Sequence, residues 1–335
     1  TLGNAQFISR SDFATLEAVY EACTEETVDE AGCVTVALSE VGRRSLPPQL
    51  VSALLSIIQD APRTFAAAMP SRGDSDDGND DAGDSVSPDH RARLDDRQRE
   101  RVALSRYTRD LVHLLSLHSL YAHSSSAPLY IQGLSHIAGL LLLFLPLHAA
   151  MTALHSLLLQ PTLTFLYRED EPILATIFNE YLAAVAPTLS ASLRAKGVGF
   201  ADGPLEWFLT CFARALPLDG AAVILDNWTL EGDAALYRAA VSLFVLHSNE
   251  LQHAEDAGSA VVVLRKLPRV RDGRQVAAAL AATPPLSASL CPRAASLLDK
   301  LAHSAKRVRV AEAGRARDDG GWDRWLADQQ AHEEH

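Results

Sequence analysis

"QLVSALLSIIQDAPRTF", residues 49–65, sets its apolar side chains at helical spacing. Leu50, Leu54, Ile57 and Ile58 recur at steps that put them on one helix face, with Val51 and Leu55 alongside; Ser52, Ser56 and Asp60 form a polar stripe. Pro62 cannot continue such a helix without losing a hydrogen bond and meeting a steric clash, so the sequence predicts a break that leaves Arg63 at a change of chain direction. An arginine so placed is either a solvated charge held by Asp60, three residues earlier, or a group with a task. On this stretch alone both readings stand, the solvated charge the simpler.

The same periodicity continues along the chain. Residues 91–123 read as one long helix, polar at first and apolar later through Leu104, Tyr107, Leu111, Leu114, Leu115 and Tyr121, with "SSSAP" at 124–128 breaking it. Further helical stretches are "LYIQGLSHIAGLLLLF", "HAAMTALHSLLL" and "EPILATIFNEYLAAVAPTLSASLRAKG". "PLEWFLTCFARAL" predicts another, with Pro204 at its first turn and Trp207, Phe208, Cys211, Phe212 and Ala215 on its apolar face. Asp233 is placed to cap the helix that follows it. No strand ladder and no repeat of fixed period stands out, so the fold class is all-α with many helices. The apolar run "IAGLLLLFLPL", residues 137–147, falls short of the roughly 18 residues of a membrane span and reads as a buried helix.

Composition narrows the function. The 335 residues carry a net charge of −12, which argues against the polyanionic backbone of nucleic acid as main partner. Cys23, Cys33, Cys211 and Cys291 form no C-x-x-C pair, as in a reduced, cytoplasmic protein, and no leader suggests a signal peptide. Residues 71–90 are Asp, Gly and Ser with almost nothing to bury, which predicts a disordered acidic insertion. Counted from Asp74, a calcium loop needs Gly and Glu where Asp77 and Ser85 stand, so that motif fails.

The usual catalytic motifs are missing. "GLSHIAG" has Ile137 where a nucleophile elbow needs its second glycine. There is no H-E-x-x-H, His113, His118 and His123 point to different helix faces, and His148 and His155 have no evident carboxylate, so no metal site is expected. No phosphate-binding glycine motif is present, so the chain does not read as a nucleotide binder in its own right.

Two short stretches carry more. Ile57, Asp60, Arg63, Thr64 and Phe65 stand as I-x-x-D-x-x-R-T-F, and Tyr130, Gln132 and Gly133 as Y-x-Q-G. In this order, and followed by Trp207, Phe208, Asp226, Glu231 and Gly232, they resemble the TBC domain, the GTPase-activating domain for Rab-family GTPases. The resemblance covers residues 45–255 or so. The chain departs from the family in lacking an opening R-x-x-x-W within residues 1–45, and in having Leu134 and Ser135 where Q-G-M-N has Met and Asn. These changes bear on substrate choice more than on chemistry.

The resemblance implies an all-α domain of two helical subdomains over residues 46–275, with helical segments at 1–45 and 276–335. It implies an arginine finger, Arg63, and a glutamine finger, Gln132, supplied in trans to a Rab GTPase in its GTP form. Asp60 would hold the arginine, and Tyr130 and Gly133 would support the glutamine. No cofactor of its own is implied, since GTP and Mg²⁺ come with the partner. The implied setting is vesicle trafficking: a cytoplasmic protein without a transmembrane segment, peripheral to endomembranes or the ciliary membrane through its Rab. The rival reading is a helical adaptor or Rab-binding scaffold without catalysis, and a helical membrane-associated protein comes third. For Trp207 and Phe208 the plain reading is core.

Overall fold

The computed structural model describes residues 8–64, 88–125, 129–167, 171–313 and 321–333. Seventeen α-helices, one 3-10 turn and a single two-stranded sheet are found among them, so the chain is all-α. The described residues separate into two compact units: 9–135 with 321–333, and Ile8 with 136–313.

The unit that carries Arg63 and Gln132 opens with α1 (Arg10–Cys23), capped by Ser9, whose hydroxyl accepts from the Asp12 amide at 3.0 Å. A hairpin follows, β1 (Thr24–Val28) against β2 (Val34–Leu38), in register from Thr24↔Leu38 to Val28↔Val34. This corrects the expectation of no strand ladder. The signal was short: in β2 Val36 and Leu38 face inward and Thr35 and Ala37 outward, a period of two, and Gly32 closes the turn at φ +82°. Helix α2 (Glu40–Ser45) begins where Gly42 passes so close to Cys23 that an added Cβ would stand 2.5 Å from its carbonyl oxygen.

Helix α3 (Pro48–Thr64) buries Leu50, Leu54 and Ile57 of the stripe read from the sequence, together with Ala53 and Ala61, while Ile58 is half-buried. It packs along α4 (Pro88–Ser125), whose second half buries Leu111, Leu114, Leu115 and Leu120. The start of α4 at Pro88 takes the last residues of the predicted insertion into a helix; residues 71–87 lie outside the described residues. The C-terminal helix (Gly321–Glu333) returns to this unit. There Thr15 donates to Asp323 at 3.2 Å, Trp322 to the Leu120 carbonyl at 3.3 Å and Trp325 to the Ser45 carbonyl at 3.4 Å.

Helix α5 (Leu134–Leu142) buries Ile137, Ala138, Leu140 and Leu141. The second unit continues with α6 (Leu147–Leu158), α7 (Pro161–Leu166), α8 (Glu171–Val185) and α9 (Pro187–Lys196), the last two divided at Pro187. After α10 (Pro204–Leu209) come α11 (Leu218–Glu231), α12 (Ala234–Leu246), α13 (Ser248–His253), α14 (Ala257–Lys266), α15 (Gly273–Ala282) and α16 (Pro292–Ala313). Its core is aromatic: Phe178 meets Phe244 at 5.1 Å and Phe208 meets Tyr237 at 5.2 Å, both edge to face.

Two expectations are corrected in this unit. The "PLEWFLTCFARAL" helix stops at Leu209, because Cys211 (φ 46°) and Phe212 (φ 62°) turn left-handed and both side chains bury. Asp233 stands at the N-cap of α12 and its backbone carbonyl accepts from the Leu236 amide, but its side chain makes no cap bond to that helix. Its carboxylate accepts from the Thr162 amide at 2.5 Å, in the first turn of α7, and from the Trp228 indole at 2.9 Å. No helix among the described residues is long and apolar enough to cross a membrane.

Candidate functional site

Pro62 does not break α3; the helix runs through it to Thr64, correcting the predicted change of direction. The proline forfeits its own backbone bond to the preceding turn, while Ala61 and Thr64 on either side of it stay buried. The Thr64 hydroxyl donates to the Asp60 carbonyl at 3.2 Å across this last turn. Arg63 therefore projects from the final turn of a helix. Its side chain is 80% exposed, with Nη1 4.0 Å from Asp60 Oδ1. An exposed pair at that distance contributes ~0–1 kcal/mol.

Gln132 is presented by a turn. Ser119 of α4 donates to the Leu129 carbonyl at 2.9 Å, fixing the approach, and the Leu134 amide donates to the Ile131 carbonyl at 3.0 Å, closing four residues. Gly133, third of the four, has φ +103°, the sign a type II turn requires there and a side chain resists. Gln132 stands exposed at the apex, just before α5.

The two stretches meet through Tyr130 and Asp60. The Tyr130 hydroxyl donates to Asp60 Oδ2 at 3.0 Å. Burial, then the charge of Asp60, pushes the Tyr130 phenol well above its ordinary range, so it keeps the proton it donates. The structure thus joins Asp60, Arg63 and Tyr130 on one side, with Gly133 shaping the turn that carries Gln132. Sequence reasoning missed the Tyr130–Asp60 bond. The available signal was chemical: a half-buried tyrosine hydroxyl needs a partner, and the only acid in either stretch is Asp60.

The downstream residues of the resemblance lie in the other unit. Trp207 and Phe208 are core, as read. Glu231 accepts from Arg238 at 2.8 Å, Gly232 ends α11 at φ +75°, and Asp226 is exposed. Three clefts of the described residues, the largest about 520 Å³, are lined by neither Arg63 nor Gln132. Both side chains stand out from the surface, a geometry suited to entering another molecule's site. Among the described residues no three His, Cys, Asp or Glu side chains cluster as metal ligands.

Comparison with known proteins follows the same lines. Residues 87–252 match the Rab-GTPase-TBC domain. The chain is 29% identical to TBC1 domain family member 14 of Mus musculus over 154 residues, 45% of this chain and 22% of that protein. It is 24% identical to Drainin of Dictyostelium discoideum over 163 residues, 48% of this chain and 36% of that one. It is 30% identical to the GTPase activating protein Gyp51 of Schizosaccharomyces pombe over 124 residues, 36% and 12% of the two chains. The matched stretch thus spans about a fifth of the mouse relative's length. The crystal structure of a Chlamydomonas flagellar RabGAP TBC domain aligns over 70% of this chain and 69% of that one, with 20% identity and a TM-score of 0.45. Tyr130 and Gln132 fall inside the matched span and Asp60 and Arg63 before it, so the 3.0 Å bond between Tyr130 and Asp60 is what links them.

Proposed function

Because this chain carries a Rab-GTPase-TBC domain, we propose that it accelerates GTP hydrolysis by a Rab-family GTPase, with Arg63 and Gln132 acting in trans. The observation that supports this reading is the Tyr130–Asp60 hydrogen bond, which tethers the helix end bearing Arg63 to the turn bearing Gln132. Phosphoryl transfer needs negative charge neutralised at the transferring group and a water held in line. The Arg63 guanidinium supplies a planar fork of donors for phosphate oxygens. The Gln132 amide donates and accepts at once, which suits a water and a backbone carbonyl together. GTP and Mg²⁺ belong to the partner, and contact with membranes runs through the Rab, at endomembranes or the ciliary membrane.

The test is a hydrolysis screen of GTP-loaded Rabs with the parent, Arg63→Ala and Gln132→Ala. The expected result is acceleration of at least one Rab, with most of it lost in each variant. A finger arginine is worth roughly 10³–10⁵ in rate. Binding without acceleration across the panel makes the protein a scaffold instead, and full activity of Arg63→Ala would falsify the finger assignment.

A further inference from the structure

The phase of the β1–β2 ladder fixes which backbone groups β1 turns outward. The Ser39 amide donates to the Cys23 carbonyl at 2.9 Å, and at the other end the Asp29 amide donates to the Cys33 carbonyl at 3.1 Å. In an antiparallel pair such bonds fall on every second residue, so Cys23, Glu25, Thr27 and Asp29 turn their backbone groups towards β2. Thr24, Glu26 and Val28 turn theirs away from it. By the same count Val34 turns its amide away from β1, and there that amide donates to the Ser105 hydroxyl of α4 at 3.0 Å. Helix α4 thus covers the outer edge of β2. Among the described residues nothing bonds the outer edge of β1. Glu25, Glu26, Thr27 and Val28 are all exposed along it.

We propose that the outer edge of β1 takes an extended, basic segment of a partner protein as a third strand. In strand addition the main-chain bonds hold the segment and the side chains select it. Here charge selects. Among the described residues Glu25, Glu26 and Glu30 enter no ion pair, and Arg109, the cation that Glu26 senses, is itself bonded to Asp110 at 2.6 Å. A lysine or arginine directly across from Glu26 is attracted to it, and a like charge there is repelled. The same rule argues against a second copy of this chain. In the antiparallel register that pairs the whole strand, each copy sets its Glu26 opposite the other's. The inference stands apart from GTP hydrolysis and does not depend on it.

The probe is a fluorescein-labelled peptide of alternating valine and lysine, titrated with the intact chain and read by fluorescence anisotropy. A lysine opposite Glu26 takes a hydrogen-bonded position, so the lysine amides face β1 and the valine amides face solvent. N-methylation of the lysine amides is expected to weaken binding about tenfold or more, and N-methylation of the valine amides less than about twofold. A peptide with glutamate in place of lysine should not bind. Glu26→Lys, an exposed change, should weaken the lysine peptide about tenfold while the thermal midpoint stays at the parental value. No binding of the lysine peptide overturns the proposal. So does an equal loss from both methylated peptides, which means charge attraction without strand pairing, or undiminished binding to Glu26→Lys. A dimer in sedimentation that excludes the peptide gives the edge to a second copy and overturns it as well.

Discussion

The Tyr130 hydroxyl and Asp60 Oδ2 stand 3.0 Å apart although 70 residues separate them in the chain. Neither side chain is a candidate for contact with phosphate. Their bond matters because Asp60 lies one helical turn from Arg63, and Tyr130 two residues from Gln132. Tyr130→Phe is expected to cost about 1 kcal/mol in urea denaturation, the usual worth of one such bond. It should lower Rab-dependent turnover well beyond what that small loss explains. Parental turnover in this variant makes the bond structural only.

Arg63→Lys keeps the charge and the exposure. Stability should stay within about 0.5 kcal/mol of the parent, as for an ordinary surface change. Most acceleration should vanish, because an ammonium lacks the planar fork and is strongly hydrated. One denaturation curve beside one hydrolysis time course decides it; unchanged activity reduces Arg63 to a solvated charge.

A site built for transition-state charge binds that state best. Gel filtration should show a complex with a GDP-bound Rab when aluminium fluoride is present and little without it. Equal binding in both conditions supports the scaffold reading.

Asp233 is buried, and its carboxylate takes one bond from the Thr162 amide and one from the Trp228 indole. Asp233→Ala leaves both donors without that acceptor and opens space beside them. The expected loss is ~2–4 kcal/mol in chemical denaturation, at the upper end for bonds to a charged group. A loss under about 1 kcal/mol means that water replaces the carboxylate.

Burial lowers His155 to about 4 from an ordinary value near 6.5, and His113, stacked on Tyr20 at 4.1 Å, likewise to about 4. Between those values the unfolded chain binds protons that the folded protein refuses. Stability therefore rises with pH across this window and is lost as pH falls from 6.5 towards 4. The slope is at most ~1.4 kcal/mol per pH unit for each histidine. Denaturation at intervals of pH checks this, and His155→Leu, if it folds, should flatten the curve.

Local pattern made α3 and the second half of α4 legible, since both bury a stripe at helical spacing. The hairpin escaped notice because β1 reads "TEETV", an acidic, exposed strand with no inward face to betray it. The continuation of α3 through Pro62 turned on packing that spacing does not show, since Ala61 and Thr64 beside the proline are both buried. Cys211 and Phe212 are left-handed without being glycine, and both side chains are buried, Phe212 against Trp207 and Phe208, an arrangement that helical periodicity does not announce. The candidate site was half readable. Arg63, Gln132 and their neighbours were marked by short spacings, but a spacing cannot say that Tyr130 reaches Asp60.

The helix Gly321–Glu333 returns to a unit otherwise made from residues 9–135, and Trp322 and Trp325 tie it to Leu120 and Ser45. During synthesis, then, the residues that bear both candidate fingers leave the ribosome early, while the helix that completes their unit is made after everything in α6 to α16. The unit translated first is the last to be finished. Any stop codon or proteolytic cut between 314 and 320 would spare the aromatic core of the other unit and strip the first of its closing helix.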